Sequence, residues 1–316
     1  MEDRWDGKKQ FRLGKTLSEA YRTWSERMED HDEIRTVAQI LDRFSLEVVP
    51  AKAAKTRTEY IRAISRLRPV FGHMHPGDIK PRHAYQYADK RGAPVAAKRE
   101  IEVLRSALSS AVRWGVIDRN PLLGTVRLDG PAQRTRLVED WEIVEALSLE
   151  SRRKKGSVRM VQAYIRLKLL TSLRRGDMLR LTTDALKEDG IHVLIHKTGR
   201  RVIYEWTDEL RAAVQAALDA RPVDIAPWLF CNRRGHCYVD EETGQANGWD
   251  SIWQRFMARL LAETEITERF TENDLRRKCA NDAESLARAR ELLAHLDEST
   301  TRRFYRFRPE RVKPLR

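Results

Sequence analysis

At 316 residues the chain exceeds one ordinary domain and predicts two, at ~100–200 residues each. Lys and Arg number 60 against 47 Asp and Glu, a formal charge of +13 that points to a polyanionic partner, while 41% hydrophobic residues exclude wholesale disorder. No apolar run approaches ~18 residues, the first eleven residues are charged, and Cys231, Cys237 and Cys279 are too few for a disulfide framework; secretion and a membrane span are excluded and a cytoplasmic protein is expected.

Residues 1–33 are expected to form a short helical N-terminal extension, with Leu17, Ala20, Tyr21 and Trp24 at helical spacing. Residues 34–126 read as an all-helical domain. Val37, Ile40, Leu41 and Phe44 make one stripe, and Ile101, Leu104, Leu108 and Val112 make another. Its last helix is expected to run to Arg119-Asn120-Pro121, because a proline pushes the residue before it out of the α region. A linker over 127–136 then leads to a second domain, 137–316. Within it, Ile191, Val193 and Ile195 alternate up to Lys197-Thr198-Gly199-Arg200, and Val202, Tyr204 and Trp206 alternate beyond, a β-hairpin whose tip carries Lys197. Helices are predicted over 158–170 and over 208–220, the latter capped by Thr207, and Ile252, Phe256 and Leu260 continue the helical period. The expected fold class is mainly α with a small antiparallel β-sheet, an all-helical domain followed by a mixed α+β one.

Cutting or joining a nucleic-acid strand without a metal requires a nucleophile, cations on the phosphoryl oxygens and an acid for the leaving oxygen. The second domain offers such a set in a particular order. Arg174 lies in Leu173-Arg174-Arg175-Gly176-Asp177, where a guanidinium presents a planar fork to phosphate, and Lys197 sits on the hairpin. Arg276 closes Asn273-Asp274-Leu275-Arg276, His295 follows Leu293-Ala294, and Tyr305 ends Thr300-Thr301-Arg302-Arg303-Phe304-Tyr305.

That order resembles the tyrosine recombinases, in particular the phage-type integrases. The resemblance implies a helical core-binding domain, supported by Thr56-x-x-Glu59-Tyr60 and by Trp114-Gly115 with Asn120-Pro121, and a catalytic domain that needs no cofactor and no metal. It implies that Arg174 and Arg276 clamp the scissile phosphate, that Asp177 supports the site, and that Lys197 is the general acid. His295 would bond a phosphoryl oxygen or orient the nucleophile, Tyr305. Ser172 stands where the family more often has glycine, and Asn273 where it most often has histidine; asparagine donates a hydrogen bond but cannot accept and return a proton. Nine residues after His295, a common family spacing for the nucleophile, stands Phe304, so chemistry leaves Tyr305 at ten. The implied partners are double-stranded DNA at attachment sites, three further copies of the chain in a tetramer, and an accessory DNA-bending or directionality protein, in a bacterial cytoplasm at the nucleoid.

Other features carry plainer readings. His236 between Cys231 and Cys237 fits no common zinc spacing and reads as a structural turn around Arg233-Arg234-Gly235. Cys279 reads as a small buried residue. The run 152–155 reads as a solvated loop or a DNA-backbone contact. Residues 51–70, with six basic residues against one acidic, and the last fifteen, with seven against one, suit phosphate contacts, and the tail also suits packing on a neighbouring copy. Two rival readings are a DNA-binding protein that has lost catalysis, favoured by Asn273 and Phe304, and a type IB topoisomerase-like enzyme with the same chemistry.

Overall fold

The computed structural model describes residue 19, residues 34–130, 134–153 and 155–294, and residues 299 and 301. The N-terminal stripe of Leu17, Ala20, Tyr21 and Trp24 lies outside them, as do His295 and Tyr305. The chain divides into two compact units, residues 1–131 and 132–316.

The first unit is built from α1 (Val37–Glu47), α2 (Ala54–Phe71), α3 (Pro81–Arg91) and α4 (Pro94–Arg113). Thr36 and Gln39 open α1 with a reciprocal capping box, each side chain bonding the other's backbone amide. Proline at the first position starts both α3 and α4, where its missing N–H costs nothing. The expected stripes are buried, apart from the half-buried Val112: Val37, Ile40, Leu41 and Phe44 face Leu67, Phe71, Ile101, Leu104 and Leu108. Glu100 sits in this core, accepting from Tyr87 Oη at 2.6 Å and from Arg91 Nε at 3.0 Å.

One expectation for this unit fails. The last helix ends at Arg113, before Pro121 is reached. Gly115 takes a left-handed φ of 74°, its N–H bonds Val112 O at 3.0 Å, and Val116 N–H bonds Ala111 O at 2.9 Å. These two bonds satisfy the carbonyls that a helix end would leave open. Asn120 instead anchors the following turn back onto α4, donating to Arg105 O and to Ser109 Oγ, both at 2.8 Å.

The second unit holds α5 (Asp140–Ser148), α6 (Ser157–Thr171), α7 (Arg175–Leu179), the hairpin of β1 (Gly190–Ile195) and β2 (Arg200–Glu205), α8 (Asp208–Ala220), α9 (Asn247–Glu263), α10 (Glu272–Asp282) and α11 (Leu286–Leu292). Helix α6 is the spine, packed by α5, α8, α9 and α10. Its Tyr164 lies at the centre of an aromatic cluster with Trp249, Phe230 and Trp253, the nearest ring centroid 4.7 Å away. Thr207 caps α8 by accepting from Leu210 N, as the sequence predicts. The hairpin has the expected register, Ile191 opposite Tyr204 and Val193 opposite Val202, which puts Ile191, Val193, Ile195 and Tyr204 into the core. Cys231 and Cys237 pair as an antiparallel bridge around Gly235, whose φ is 78°. Arg134 and Arg136, in the segment expected as linker, are tied to this unit through Glu268, Asp274 and Glu142. No described helix is long and apolar enough to cross a membrane.

Candidate active site

Three segments far apart in sequence meet at one guanidinium. Arg276 lies in the middle of α10, is 3% exposed, and donates to Ser172 O and, at 2.6 Å, to Leu293 O. The first acceptor belongs to the turn that leads into Arg174, and the second lies two residues before His295. Both turns are left-handed: Ser172 has a φ of 52° and Ala294 a φ of 49°, conformations that cost an L side chain about 1–2 kcal/mol and that glycine adopts freely. The sequence therefore places a non-glycine residue at both sharp turns, and Arg276 holds the carbonyls around them.

Arg174 follows as the N-cap of α7, half-buried, with Nη1 shielded from solvent and without a hydrogen-bond partner among the described residues. One helical turn later Asp177, buried, accepts from the His196 backbone N–H at 3.0 Å, and its Oδ1 lies 3.2 Å from His196 Nδ1. This contact anchors the end of β1 to α7, one residue before the exposed Lys197. The hairpin turn itself closes by bonds from Thr198 N and Gly199 N to Ile195 O, with Gly199 at a φ of 68°. On the other strand the buried Tyr204 points its hydroxyl at Leu292 O, 3.4 Å away. Burial pushes its phenol well above the ordinary value, against the nearby positive charge of Arg276.

Helix α10 also begins with a capping box, in which Asp274 accepts from Thr271 N at 2.9 Å and Thr271 Oγ1 accepts from Asp274 N at 3.2 Å. Asp274 is fully buried and also accepts from Arg134 Nε and Arg277 Nη1, both at 3.0 Å. The Thr-x-x-Asp spacing was the signal for it. Asn273, one turn before Arg276, is exposed. Glu272 accepts from Trp249 Nε1 at 2.8 Å and joins Arg175, which also pairs with Asp250. The structure thus gathers Arg174, Asp177, Arg276 and the turn end of the Lys197 hairpin, and leaves Arg276 with a bracing geometry that its expected phosphate contact did not suggest. Sequence reasoning missed Lys168, a buried amine on α6 whose Nζ donates to Leu173 O. Among the described residues no group of three or more His, Cys, Asp or Glu could hold a metal ion.

A family profile described as the phage integrase family matches residues 142–311. No curated protein matches the chain significantly. Among solved structures, a lambda integrase dimer bound to a COC' core site superposes with a TM-score of 0.69 at 18% identity, covering 89% of this chain and 99% of that one. A lambda integrase tetramer bound to a Holliday junction gives 0.67 at 18% identity over 99% of this chain and 94% of that one. The integrase of the Tn1549 transposon, in complex with circular intermediate DNA, gives 0.67 at 16% identity over 87% and 97%. These likenesses show a shared fold, mainly helical with a two-stranded antiparallel sheet.

Proposed function

The chain belongs to the phage integrase family of tyrosine recombinases, enzymes that act on DNA, and from that premise we propose that it is an active site-specific recombinase that integrates or excises a mobile element. The observation that carries this reading is the meeting of the Ser172–Arg174 turn, Arg276 and Leu293 at one buried guanidinium, which brings together three of the motif segments. In this reading Tyr305 Oη attacks the scissile phosphorus. The bond to the 5′ oxygen breaks, Lys197 gives that oxygen a proton, and a 3′-phosphotyrosyl bond remains, so religation needs no external energy source. Arg174, half-buried, takes a non-bridging oxygen with its guanidinium fork.

Arg276 adds positive field from below while bracing the turn, and His295 and Asn273 donate to the phosphate or orient the tyrosine. A phenol with an ordinary pKa of ~10 becomes a nucleophile when such a field favours its anion. Asp177 holds the hairpin that carries the acid. Double-stranded attachment sites are the substrate, and the likeness to a lambda integrase tetramer on a Holliday junction supports a tetramer on DNA, in a bacterial cytoplasm.

The test is single-turnover cleavage of a nicked suicide duplex spanning the element's junction. Wild type should form a covalent adduct, and Tyr305→Phe should form none while binding DNA normally. An adduct mapping to another tyrosine would overturn the nucleophile. Junction binding without any adduct from wild type, with an adduct from Asn273→His, would make the protein a decayed DNA-binding relic instead.

A further inference from the structure

Beneath the Arg174 turn lies a buried amine without a task in the mechanism above. Lys168, on the last turn of α6, is 2% exposed, and its Nζ sits 5.6 Å from the centroid of the Tyr164 ring. It donates to Leu173 O, while Arg276 donates to Ser172 O. Two cations from two different helices therefore hold consecutive carbonyls of the left-handed turn. With both carbonyls held, the peptide planes on either side of Leu173 are fixed, and so is the direction in which the chain delivers Arg174. A burial position on the inner face of α6, between Tyr164 and Thr171, needs no charge for packing; an aliphatic side chain would fill it without desolvating an ammonium.

We propose that Lys168 is a positioning residue for the phosphate contact of Arg174: its amine fixes the Leu173 carbonyl, and its charge is coupled to the phosphate that Arg174 takes. The proposal rests on the assignment of Arg174 to that phosphate. The titratable and charged groups facing the amine come from three helices, Tyr164 on α6 itself, Arg175 and Asp177 on α7, and Glu272, Arg276 and the Cys279 thiol on α10. Burial brings the amine down to about 7, Glu272 and Asp177 opposing the fall and Arg276 and Arg175 adding to it. Near neutrality the free protein thus holds Lys168 partly uncharged, and a phosphate arriving at Arg174 draws the proton on. By linkage, protonation of Lys168 and phosphate binding favour each other equally.

The experiment uses the full chain with ¹³Cε-labelled lysine, the Lys168 signal assigned by its loss in Lys168→Met, titrated free and bound to the nicked junction duplex. Lys168 should titrate near neutrality when free and at least one pH unit higher on DNA, and Arg174→Gln should remove most of that rise. Lys168→Met should keep or raise the thermal midpoint, bind the duplex within a few-fold of wild type, and cleave it at least tenfold more slowly below the DNA-bound titration point, the deficit narrowing above it. A residue of merely structural value would lower the midpoint and slow cleavage equally at all pH. Cleavage by Lys168→Met at the wild-type rate, or no DNA-induced shift in the titration, overturns the proposal. If wild type forms no adduct, the recombinase reading fails on its own account, and the DNA-induced shift still decides the role of Lys168.

Discussion

The two units bury different chemistry. Among the described residues, the charged side chain buried in the first unit is Glu100, paired with Arg91 and hydrogen-bonded by Tyr87 beside a core of Phe44, Leu67, Phe71, Ile101 and Leu104. In the second unit Glu142, Lys168, Asp177, Arg221, Asp274, Arg276, Arg277 and Lys278 are all buried. Desolvating a charge costs more than its pairing usually returns, and well-packed apolar residues often do as well or better. Four of these charges lie on α10, and with Lys168 at the end of α6 they hold backbone carbonyls and a helix start in place. One unit is optimised for packing, and the other gives up packing stability for fixed cations and fixed loops.

The largest expected effect comes from breaking that second strategy at its centre. Arg276→Met leaves Ser172 O and Leu293 O without their donor, and it should cost about 3–5 kcal/mol in denaturant unfolding and abolish adduct formation. Arg276→Lys keeps the charge but cannot span both carbonyls, and cleavage should fall by ~10²–10³. A lysine variant within a few-fold of wild type would mean that charge alone suffices. In the first unit Leu104→Ala should cost a similar ~2–5 kcal/mol through a cavity, with the same penalty at pH 6 and pH 9 because no ionisable group changes partner.

Lys168→Met sharpens the contrast through pH. The folded amine titrates near 7 and the unfolded one near 10.5, so between those values the unfolded chain binds the extra proton. Wild-type stability should therefore rise with pH across this window, at up to ~1.4 kcal/mol per unit, and the methionine variant should lose that slope. The mutant's advantage is greatest below pH 7 and vanishes above 10.5; a parallel pH profile for the two proteins would show that the amine is not desolvated. The smallest effect is Ala294→Gly, which relieves a left-handed alanine but loosens the unfolded chain, for a net gain of about 1 kcal/mol or less.

The same contrast explains what could be read from the sequence. Apolar periodicity reports which side chains leave water, so the α1 stripe, the α4 stripe and the hairpin alternation were all legible, as was the mainly helical fold with its small sheet. Periodicity is blind to a charge that is buried because it serves a carbonyl. Lys168 looks like a break in an apolar stripe, and Asp274 looks like one more acid at a helix start. The end of α4 was misread because Pro121 is a conspicuous stop signal, whereas the hydrogen bonds that end the helix at Gly115 depend on a backbone dihedral. The order of Arg174, Lys197 and Arg276 pointed to the candidate site, but that Arg276 holds two distant turns together required coordinates.

The contact between Asp177 and the His196 amide has a consequence for how such a chain can vary in length. The hairpin is pinned at its turn end, next to Lys197, as well as at its far end, where Ile191 bridges Leu186 and Trp206 Nε1 donates to Lys187 O. Residues inserted in the exposed turn before β1, at 187–189, lie on the far side of the tip contact and leave the lysine where it stands. Residues inserted between His196 and Arg200 move it directly. Natural length variation should therefore be tolerated in the exposed turn at 187–189 and be purged from the four-residue tip, and a duplicated residue placed at each site in turn would show the asymmetry in cleavage rate.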